Sequence, residues 1–178
     1  DNAARELRQH AFSNVATYGF AEDADWRGEY LGAEDGLQRL RVFHAGVELG
    51  ELRCPLAGLH NLQNALAAVA CAGLLGATFD RIAAGVASFG GVRRRMEVFL
   101  EARGAVFVDD FAHHPTAIRE TIAAARMRWP GRRLRVLFEP RSNTTVTRKF
   151  QGDLMESFRG ADQLWLGPIY RADGIAPE

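Results

Sequence analysis

The spacing of apolar and polar side chains predicts a β-hairpin in the first half of the chain. Residues 36–44 alternate apolar and polar side chains, as a half-buried strand does. Ala45-Gly46 supplies a turn, and residues 47–56 supply the second strand of the hairpin. Residues 13–18 are a further β-prone run, whereas the polar, acidic stretch 22–26 is predicted to be a loop.

An alanine-rich segment predicts the main helix of this half, from Asn61 to about Leu75. Asn61 is a favourable N-cap residue, and Gly76 suits the C-terminal cap. A shorter helix is predicted over 80–87. Cys71 lies in an apolar run of the first helix, so we expect it to be a small buried side chain.

The Gly90-Gly91 pair is the clearest hinge, so we predict one domain over residues 1–91 and a second over residues 92–178. In the second domain, strands and helices alternate. The predicted strands are 96–102, 105–108, 134–138 and 163–166, and the predicted helices are 115–127 and 147–158. This order predicts an α/β fold with βαβ units and a mainly parallel sheet covered by helices. In such sheets ligands bind beyond the carboxyl ends of the strands, which places the loops 109–115 and 139–144 on one rim.

Charge is unevenly distributed along the chain, although 22 basic and 22 acidic side chains give a formal net charge of zero. Residues 91–150 carry 13 basic and 6 acidic side chains, a balance of +7, whereas residues 1–90 carry 7 basic and 11 acidic, a balance of −4. This asymmetry fits a local anionic ligand better than a protein that coats nucleic acid. Apolar residues make up 47% of the 178 residues, which excludes disordered and collagen-like chains.

Several sequence signals are missing. No stretch of 18 apolar residues and no basic-then-apolar signal occurs, so we predict a soluble cytoplasmic protein with no membrane partner. Two cysteines are too few for a disulfide framework or a metal knuckle. The Gly-x-x-x-x-Gly-Lys-[Ser/Thr] phosphate loop is also missing. The chain starts without methionine and ends just after a predicted strand, which suggests a piece of a longer protein.

The loop after the second predicted strand of the second domain holds adjacent carboxylates and imidazoles, Asp109, Asp110, His113 and His114. These side chains could ligate a metal, act as acid and base, or hydrogen-bond a polar ligand. The alternative is that they cap the helix that starts at Pro115. No His-x-x-x-His spacing and no cysteine set accompanies them, so a zinc site has weak support.

Three other segments carry ligand-binding chemistry. Arg93-Arg94-Arg95 could grip a phosphate through its guanidinium forks, or could form a solvated linker. Asn61 and Asn64 share a helix face, and an asparagine amide matches the N6 and N7 edge of adenine, although capping explains Asn61 without a ligand. Residues 141–144 offer a carboxylate-binding arginine beside hydroxyl and amide donors, or a turn before the next helix.

Together, three motifs resemble the Mur ligase family. Residues 58–68 are similar to its Gly-x-His-Asn-x-x-Asn-Ala-x-Ala-Ala element, and 109–116 to its Asp-Tyr-x-His-x-Pro loop. Arg94-Arg95-Met96-Glu97 is similar to the segment with an arginine that opens the family's C-terminal domain. The resemblance implies that residues 1–91 are the last part of a central ATPase domain, and that residues 92–178 are most of a Rossmann-like C-terminal domain.

The resemblance also implies a role for each candidate residue. Asn64 would hold adenine, with His60 and Asn61 shaping that pocket. Asp110 would accept hydrogen bonds from the ribose hydroxyls, and Arg95 would reach the nucleotide phosphates. The groups expected to bind the incoming amine substrate are His113, His114, Arg141, Ser142, Asn143 and Thr144. Arg95 and His113 would be the catalytic residues.

The reaction implied by the resemblance is ATP-dependent amide formation through an acyl phosphate. Within the family, the loops 109–116 and 139–144 are most similar to those of the murein peptide ligases. These enzymes of cell-wall recycling join UDP-N-acetylmuramate to the murein tripeptide L-alanyl-γ-D-glutamyl-meso-diaminopimelate. The family's magnesium ligands and phosphate loop are expected before residue 1, so we expect no metal ligand in this chain and no activity from the chain alone.

Two alternatives remain at this point. The first is a ligase that adds L-alanine to UDP-N-acetylmuramate. Such enzymes usually have a tyrosine where Phe111 stands and a His-Arg-x-x-Arg arrangement where this chain has residues 141–145. The second is a nucleotide-binding module without catalysis.

Overall fold

The computed structural model describes residue 6, residues 10–142 and residues 150–169. The chain divides into two compact units, one formed by residues 1–55 and 61–89, the other by residues 56–60 and 90–178. The domain limits inferred from the Gly90-Gly91 hinge stay a prediction.

The first unit contains a four-stranded sheet with the order β1-β2-β3-β4. β1 (Tyr18–Gly19) pairs parallel with β2 (Trp26–Glu34), and β3 (Leu37–His44) and β4 (Val47–Cys54) continue the sheet antiparallel. The predicted hairpin is confirmed, because its strands pair around a turn at residues 45–46.

Strand β2 was not predicted from the sequence, and the run 13–18 reaches a strand only at its last residue. β2 reads Trp-Arg-Gly-Glu-Tyr-Leu-Gly-Ala-Glu, so glycines and charges obscure its alternation. Gly28 has a packing role there, because a Cβ at that position would lie 3.0 Å from the side chain of Leu40.

Two helices complete the first unit along the chain, α1 (Leu59–Leu74), whose first two residues are counted with the second unit, and α2 (Phe79–Ala87). One face of α1 is buried, at Leu62, Leu66, Val69 and Ala70, a spacing typical of an amphipathic helix. The fully buried side chains of this unit include Leu40, Val42, Leu52, Leu62, Leu66 and Val69.

Two details of the α1 prediction were wrong. The helix begins at Leu59, so Asn61 lies in its first turn and not at the N-cap position. Cys71 is exposed, whereas Cys54 on β4 is the buried cysteine. Nine residues after Leu62, Cys71 lies on the opposite face of the helix from the buried stripe, because each residue turns the helix by about 100°.

A bidentate ion pair on the sheet leads to a pH-dependent prediction. Arg39 Nε and Nη2 lie 2.8 Å and 2.7 Å from the two carboxylate oxygens of Glu51. These hydrogen bonds lower the pKa of Glu51 from 4.5 to about 2. Because the folded-state pKa is the lower one, the stabilisation is fully present above about pH 4.5 and is lost as the pH falls towards 2.

We therefore expect Glu51→Gln to lower the free energy of unfolding at neutral pH and to have a shrinking effect in acid. Urea unfolding of both proteins at about pH 7 and about pH 3 measures this difference. Glu48→Gln is a control on the same strand, because Glu48 lies 3.6 Å from Arg41 without a bidentate pair. A Glu51→Gln effect of equal size at both pH values would contradict the prediction.

The second unit begins with an antiparallel hairpin of β5 (Glu97–Ala102) and β6 (Ala105–Asp109). Arg103 and Gly104 turn between them with φ of +50° and +76°, as a two-residue type I′ turn requires. Helix α3 (Pro115–Arg128) follows, then β7 (Arg135–Phe138), α4 (Gln151–Ser157) and β8 (Gln163–Leu166). The N-terminal part of the predicted helix 147–158 lies outside the described residues.

The predicted α/β class is confirmed, and the strand pairing is mixed. β7 and β8 pair parallel, whereas β5 and β6 pair antiparallel. One buried cluster of this unit is formed by Ile118, Ile122, Phe138, Leu154 and Phe158, and another by Ala57, Met96, Ala124 and Ala125. A cavity of about 740 Å³ is lined by both β6 and β7 and by one face of α3. Among the described residues, no helix is long and apolar enough to cross a membrane.

Candidate functional site

The candidate site of the second unit is built on a strained segment just before β5. Arg94 and Met96 have φ of +58° and +50°, a left-handed conformation that residues other than glycine rarely adopt. Arg95 lies between them and is exposed. Strained backbone of this kind persists only where its surroundings hold it, and it clusters at functional sites.

Several hydrogen bonds hold this segment. Phe111 N–H donates to the Arg94 carbonyl at 2.9 Å, and Arg94 N–H donates to the Glu97 carboxylate at 2.7 Å. Met96 N–H donates to Asp110 Oδ2 at 2.8 Å. The loop 109–114 and the segment 94–97 are therefore bound to each other by their backbones and by one carboxylate.

Asp110 is the centre of this arrangement. Besides Met96 N–H, its carboxylate accepts Ala112 N–H at 2.8 Å and the Thr121 hydroxyl at 3.2 Å, both on Oδ1. A carboxylate has about four lone-pair sites, so these three bonds leave about one further acceptor position. The predicted role of Asp110 as an acceptor from ribose hydroxyls stays a prediction, and it is compatible with this count.

Two arginines of the cluster, Arg94 and Arg95, have different surroundings. Arg94 Nε lies 3.3 Å from Asp109, and its guanidinium lies 4.9 Å from the centre of the Phe111 ring. Both partners of this ion pair are largely exposed, so it contributes little to stability. Arg95, by contrast, makes no ion pair with any residue that the structure describes. Its guanidinium is therefore available to a ligand.

His60 belongs to the same unit, in the short segment 56–60. Its Nδ1 is buried and has no hydrogen-bond partner within the described part of the chain. Burial lowers the pKa of His60; the carboxylates of Glu120 and Asp110 act against this shift, and Arg95 adds to it. A buried polar atom without a partner is rare in folded proteins, so His60 is a candidate for a functional role.

Gly58 gives the backbone next to His60 its shape. Its φ is +99°, and a Cβ there would lie 2.7 Å from Ala124 Cβ and 2.9 Å from His60 Cε1. Both the backbone angle and the crowding therefore require glycine at this position.

We expect Gly58→Ala to lower the free energy of unfolding by about 2–4 kcal/mol, through left-handed strain and overpacking. Chemical denaturation measures the change. Gly85→Ala is the matched control, because Gly85 lies inside α2 with nothing within 4 Å of the added methyl group. That control is expected to stabilise by up to about 1 kcal/mol. Equal effects of the two substitutions would contradict the packing assigned to Gly58.

The two histidines of the loop have different contacts. His114 is the N-cap of α3, because its Nδ1 accepts Thr116 N–H at 3.3 Å. His113 Nδ1 lies 2.9 Å from the Phe111 carbonyl, so this nitrogen carries the proton and Nε2 is the acceptor. The capping alternative thus holds for His114, and the substrate-binding roles of both histidines stay predictions.

The remaining predicted residues are only partly described. Arg141 pairs with Glu139 at 2.9 Å and is 67% exposed in its side chain, and Ser142 is half-buried. Asn143 and Thr144 lie outside the described residues. Asn61 is half-buried and Asn64 exposed in the first two turns of α1, in the other unit. Among the described residues, no three His, Cys, Asp or Glu side chains could together hold a metal ion.

The structure adds two residues that the sequence did not single out. Glu97 accepts a bond from the strained Arg94, and Thr121 donates to Asp110. Glu97 could have been found, because an acidic residue three positions after an arginine is a short-range signal. Thr121 had no such signal, since it lies 11 positions from its partner inside a helix.

The chain is similar in sequence to known families and proteins. Residues 94–173 match the family described as Mur ligase, glutamate ligase domain, and residues 1–72 match the Mur ligase middle domain. The UDP-N-acetylmuramate–L-alanine ligase of Geobacter sulfurreducens is 38% identical over 99% of this chain and 38% of its own length. That of Desulfotalea psychrophila is 42% identical over 100% of this chain and 39% of its own length.

Solved structures agree with the family matches. A UDP-N-acetylmuramate–alanine ligase from Thermotoga maritima matches 93% of this chain and 36% of its own, with a TM-score of 0.78 and 25% identity. A murein peptide ligase from Psychrobacter arcticus matches 93% and 35%, with a TM-score of 0.65 and 30% identity. The chain thus spans less than two-fifths of the length of these relatives. It belongs to the Mur ligase family, and its residues correspond to that family's middle and C-terminal domains.

Proposed function

We propose that the protein that contains this chain is an ATP-dependent ligase that joins UDP-N-acetylmuramate to L-alanine. The observation that carries this proposal is similarity along nearly the whole chain, at 38–43% identity, to proteins named UDP-N-acetylmuramate–L-alanine ligase. Because the chain spans less than two-fifths of their length, the activity is proposed for the product of the complete open reading frame.

The proposed reaction has two steps. The muramyl carboxylate takes the γ-phosphoryl group of ATP, which gives an acyl phosphate and ADP. The amine of L-alanine then attacks the acyl carbon, the C–N bond forms, the C–O bond to phosphate breaks, and the amine loses a proton. Phosphoryl transfer depends on positioning and charge neutralisation, which the exposed guanidinium of Arg95 can supply.

Two features of the second unit support the nucleotide side of the site. His60 is buried at Nδ1, which has no partner among the described residues, and we propose that this side chain shapes the adenine pocket. The Asp110 carboxylate keeps about one acceptor position for a ribose hydroxyl. In the first unit, we propose the exposed amide of Asn64 as an adenine contact on the resemblance alone. We assign no Mg²⁺ ligand to the described residues, because none of their side-chain clusters could hold the ion.

Similarity of two loops and similarity of the whole chain predict different acceptor amines. The loops 109–116 and 139–144 predicted the murein tripeptide as acceptor, on the strength of Phe111 and the Arg141-Ser142-Asn143 sequence. The relatives over the whole chain favour L-alanine. We therefore place L-alanine first and keep the tripeptide as second candidate, supported by Phe111, whose ring packs edge-on against His113 at 5.0 Å.

A direct competition distinguishes the two acceptors. The complete protein is supplied with UDP-N-acetylmuramate and ATP, together with L-alanine and the tripeptide at equal concentration, and the products are separated by mass. We expect the L-alanine adduct to dominate. An excess of the tripeptide adduct would instead support the tripeptide as acceptor, as the loops predicted. Release of ADP without formation of either adduct would contradict the ligase proposal.

A nucleotide-binding module without catalysis is the alternative from another class. Calorimetry with a non-hydrolysable ATP analogue, followed by the turnover assay on the same preparation, separates the two. Binding without turnover in the complete protein favours the module. A Gly-Lys-[Thr/Ser] phosphate loop in the upstream reading frame favours the ligase.

A further inference from the structure

We propose that Thr121 is a positioning residue of the nucleotide side of the site, which acts through Asp110 on the segment that presents Arg95. The inference rests on the proposed function. Thr121 is half-buried in the second turn of α3, and its hydroxyl donates to Asp110 Oδ1 at 3.2 Å. It also lines the 740 Å³ cavity beside Asp109 and Asp110.

The position of each donor to Asp110 explains why Thr121 matters. Ala112 N–H belongs to the same loop as Asp110, only two residues on, and Met96 N–H belongs to the strained segment. Thr121 is the donor that comes from a regular helix. Of these three bonds, its bond is therefore the one that fixes the carboxylate relative to a rigid element.

The helix that carries Thr121 is well anchored. Ile118 and Ile122, on either side of Thr121 in sequence, are buried in the cluster with Phe138. Ala124 and Ala125 are buried in the cluster with Met96. The Thr121 hydroxyl thus reaches Asp110 from a helix whose core-facing side chains hold it in place.

Asp110 in turn restrains the backbone next to Arg95. Met96 keeps its left-handed backbone while its N–H is bonded to Asp110 Oδ2, and Arg94 keeps its own while its carbonyl accepts Phe111 N–H. The Met96 bond depends on the orientation of the Asp110 side chain, whereas the Phe111–Arg94 bond joins two backbones and does not. A carboxylate that rotates therefore releases the strained backbone directly after Arg95.

Thr121→Val removes the hydroxyl and keeps the β-branched shape. In the complete protein we expect the KM for ATP to rise about 5- to 10-fold, as loss of one hydrogen bond to a charged group predicts. The KM for UDP-N-acetylmuramate is expected to stay within about twofold, because only nucleotide contacts depend on Asp110 and Arg95. Thr121→Ser, which keeps the donor, is expected to restore the KM for ATP to within about twofold of wild type.

Thr17→Val is the matched control. Thr17 Oγ1 donates to the Asp25 carboxylate at 2.7 Å and accepts Asp25 N–H at 3.0 Å, so the control loses the same kind of bond, and one more, in the other unit. It is expected to lower the midpoint of thermal unfolding without changing the KM for ATP. A purely structural role of Thr121 predicts instead that Thr121→Val behaves like this control.

Amide hydrogen exchange tests the positioning step without any turnover. We expect Thr121→Val to speed exchange at Met96 and Ala112, and Thr121→Ser to leave it near the wild-type rate. Unchanged exchange together with a wild-type KM for ATP would overturn the inference, and so would equal impairment of the serine and valine variants. If the wild-type protein forms no amide with either acceptor, the proposed function fails, while the exchange rates still decide whether Thr121 orients Asp110.

Discussion

Replacement of Arg95 by alanine is expected to lower the rate of amide formation by about 100-fold or more, as loss of a group that stabilises transferring phosphate charge does. The guanidinium of Arg95 is exposed and is paired with no described carboxylate, so its removal leaves no unpaired partner inside the protein. Its neighbours Arg94 and Met96 have a left-handed backbone. Such conformational strain is typical of functional sites, and here it would orient Arg95 towards a ligand.

The Arg95→Ala prediction separates function from folding. The midpoint of thermal unfolding is expected to stay within about 2 °C of wild type, because surface substitutions change stability little. Arg81→Ala, an exposed arginine on α2, is the matched control and is expected to retain its rate. Near-normal turnover by Arg95→Ala would remove this residue from the nucleotide side of the site.

Asp110→Ala has the second-largest expected effect, and it combines lost activity with lost stability. Its carboxylate satisfies two backbone N–H groups and the Thr121 hydroxyl, so alanine leaves three donors without their acceptor. We expect the free energy of unfolding to fall by about 2–3 kcal/mol. The rate of amide formation at subsaturating ATP is expected to fall about 100-fold, since Arg95 then loses its restraint as well.

Asp110→Asn tests the hydrogen bonds separately from the shape of the side chain. An amide has one oxygen and one NH₂ group, and the NH₂ group cannot accept from the donors that face it. Asp110→Asn is therefore expected to lose most of the activity, although its shape is conserved. Asp109→Asn is the neighbouring control, because Asp109 makes an exposed ion pair with Arg94. This substitution is expected to lower the rate of amide formation by less than about threefold. Equal effects at positions 109 and 110 would contradict the role of the Asp110 bonds.

Local patterns predicted the regular elements well where the side chains alternate or cap clearly. Strand β3 and the helix that starts at Pro115 follow the rules for amphipathic strands and for proline at a first helical turn. Strand β2 escaped prediction because it is specified by its neighbour, with Gly28 packed under Leu40, and not by its own alternation.

Part of the arginine excess of residues 91–150 has a structural role. Arg126 donates to the carbonyls of Gly160 and Arg132 and to the Asp162 carboxylate, and Arg132 donates to the carbonyl of Gly104. These side chains hold loops together over 6 to 36 positions in sequence. Composition counts them as positive charge, and only the three-dimensional contacts separate them from Arg95.

Motifs could nominate candidate residues, whose roles stay predictions, but they could not give the bonds between those residues. Motif similarity singled out Asp110 and Arg95, yet it could not show that Asp110 holds the Met96 backbone, because that bond joins residues 14 positions apart. The acceptor preference was inferred from two short loops. Similarity over the whole chain samples many more positions, and it favours L-alanine.

The central claim, that the complete protein activates the muramyl carboxylate as an acyl phosphate, has a direct isotopic test. UDP-N-acetylmuramate labelled with ¹⁸O in both carboxylate oxygens is incubated with ATP and L-alanine, and the released phosphate is examined by mass. We expect ADP as the nucleotide product and one ¹⁸O atom in each inorganic phosphate. Unlabelled phosphate, or AMP as the nucleotide product, would contradict it.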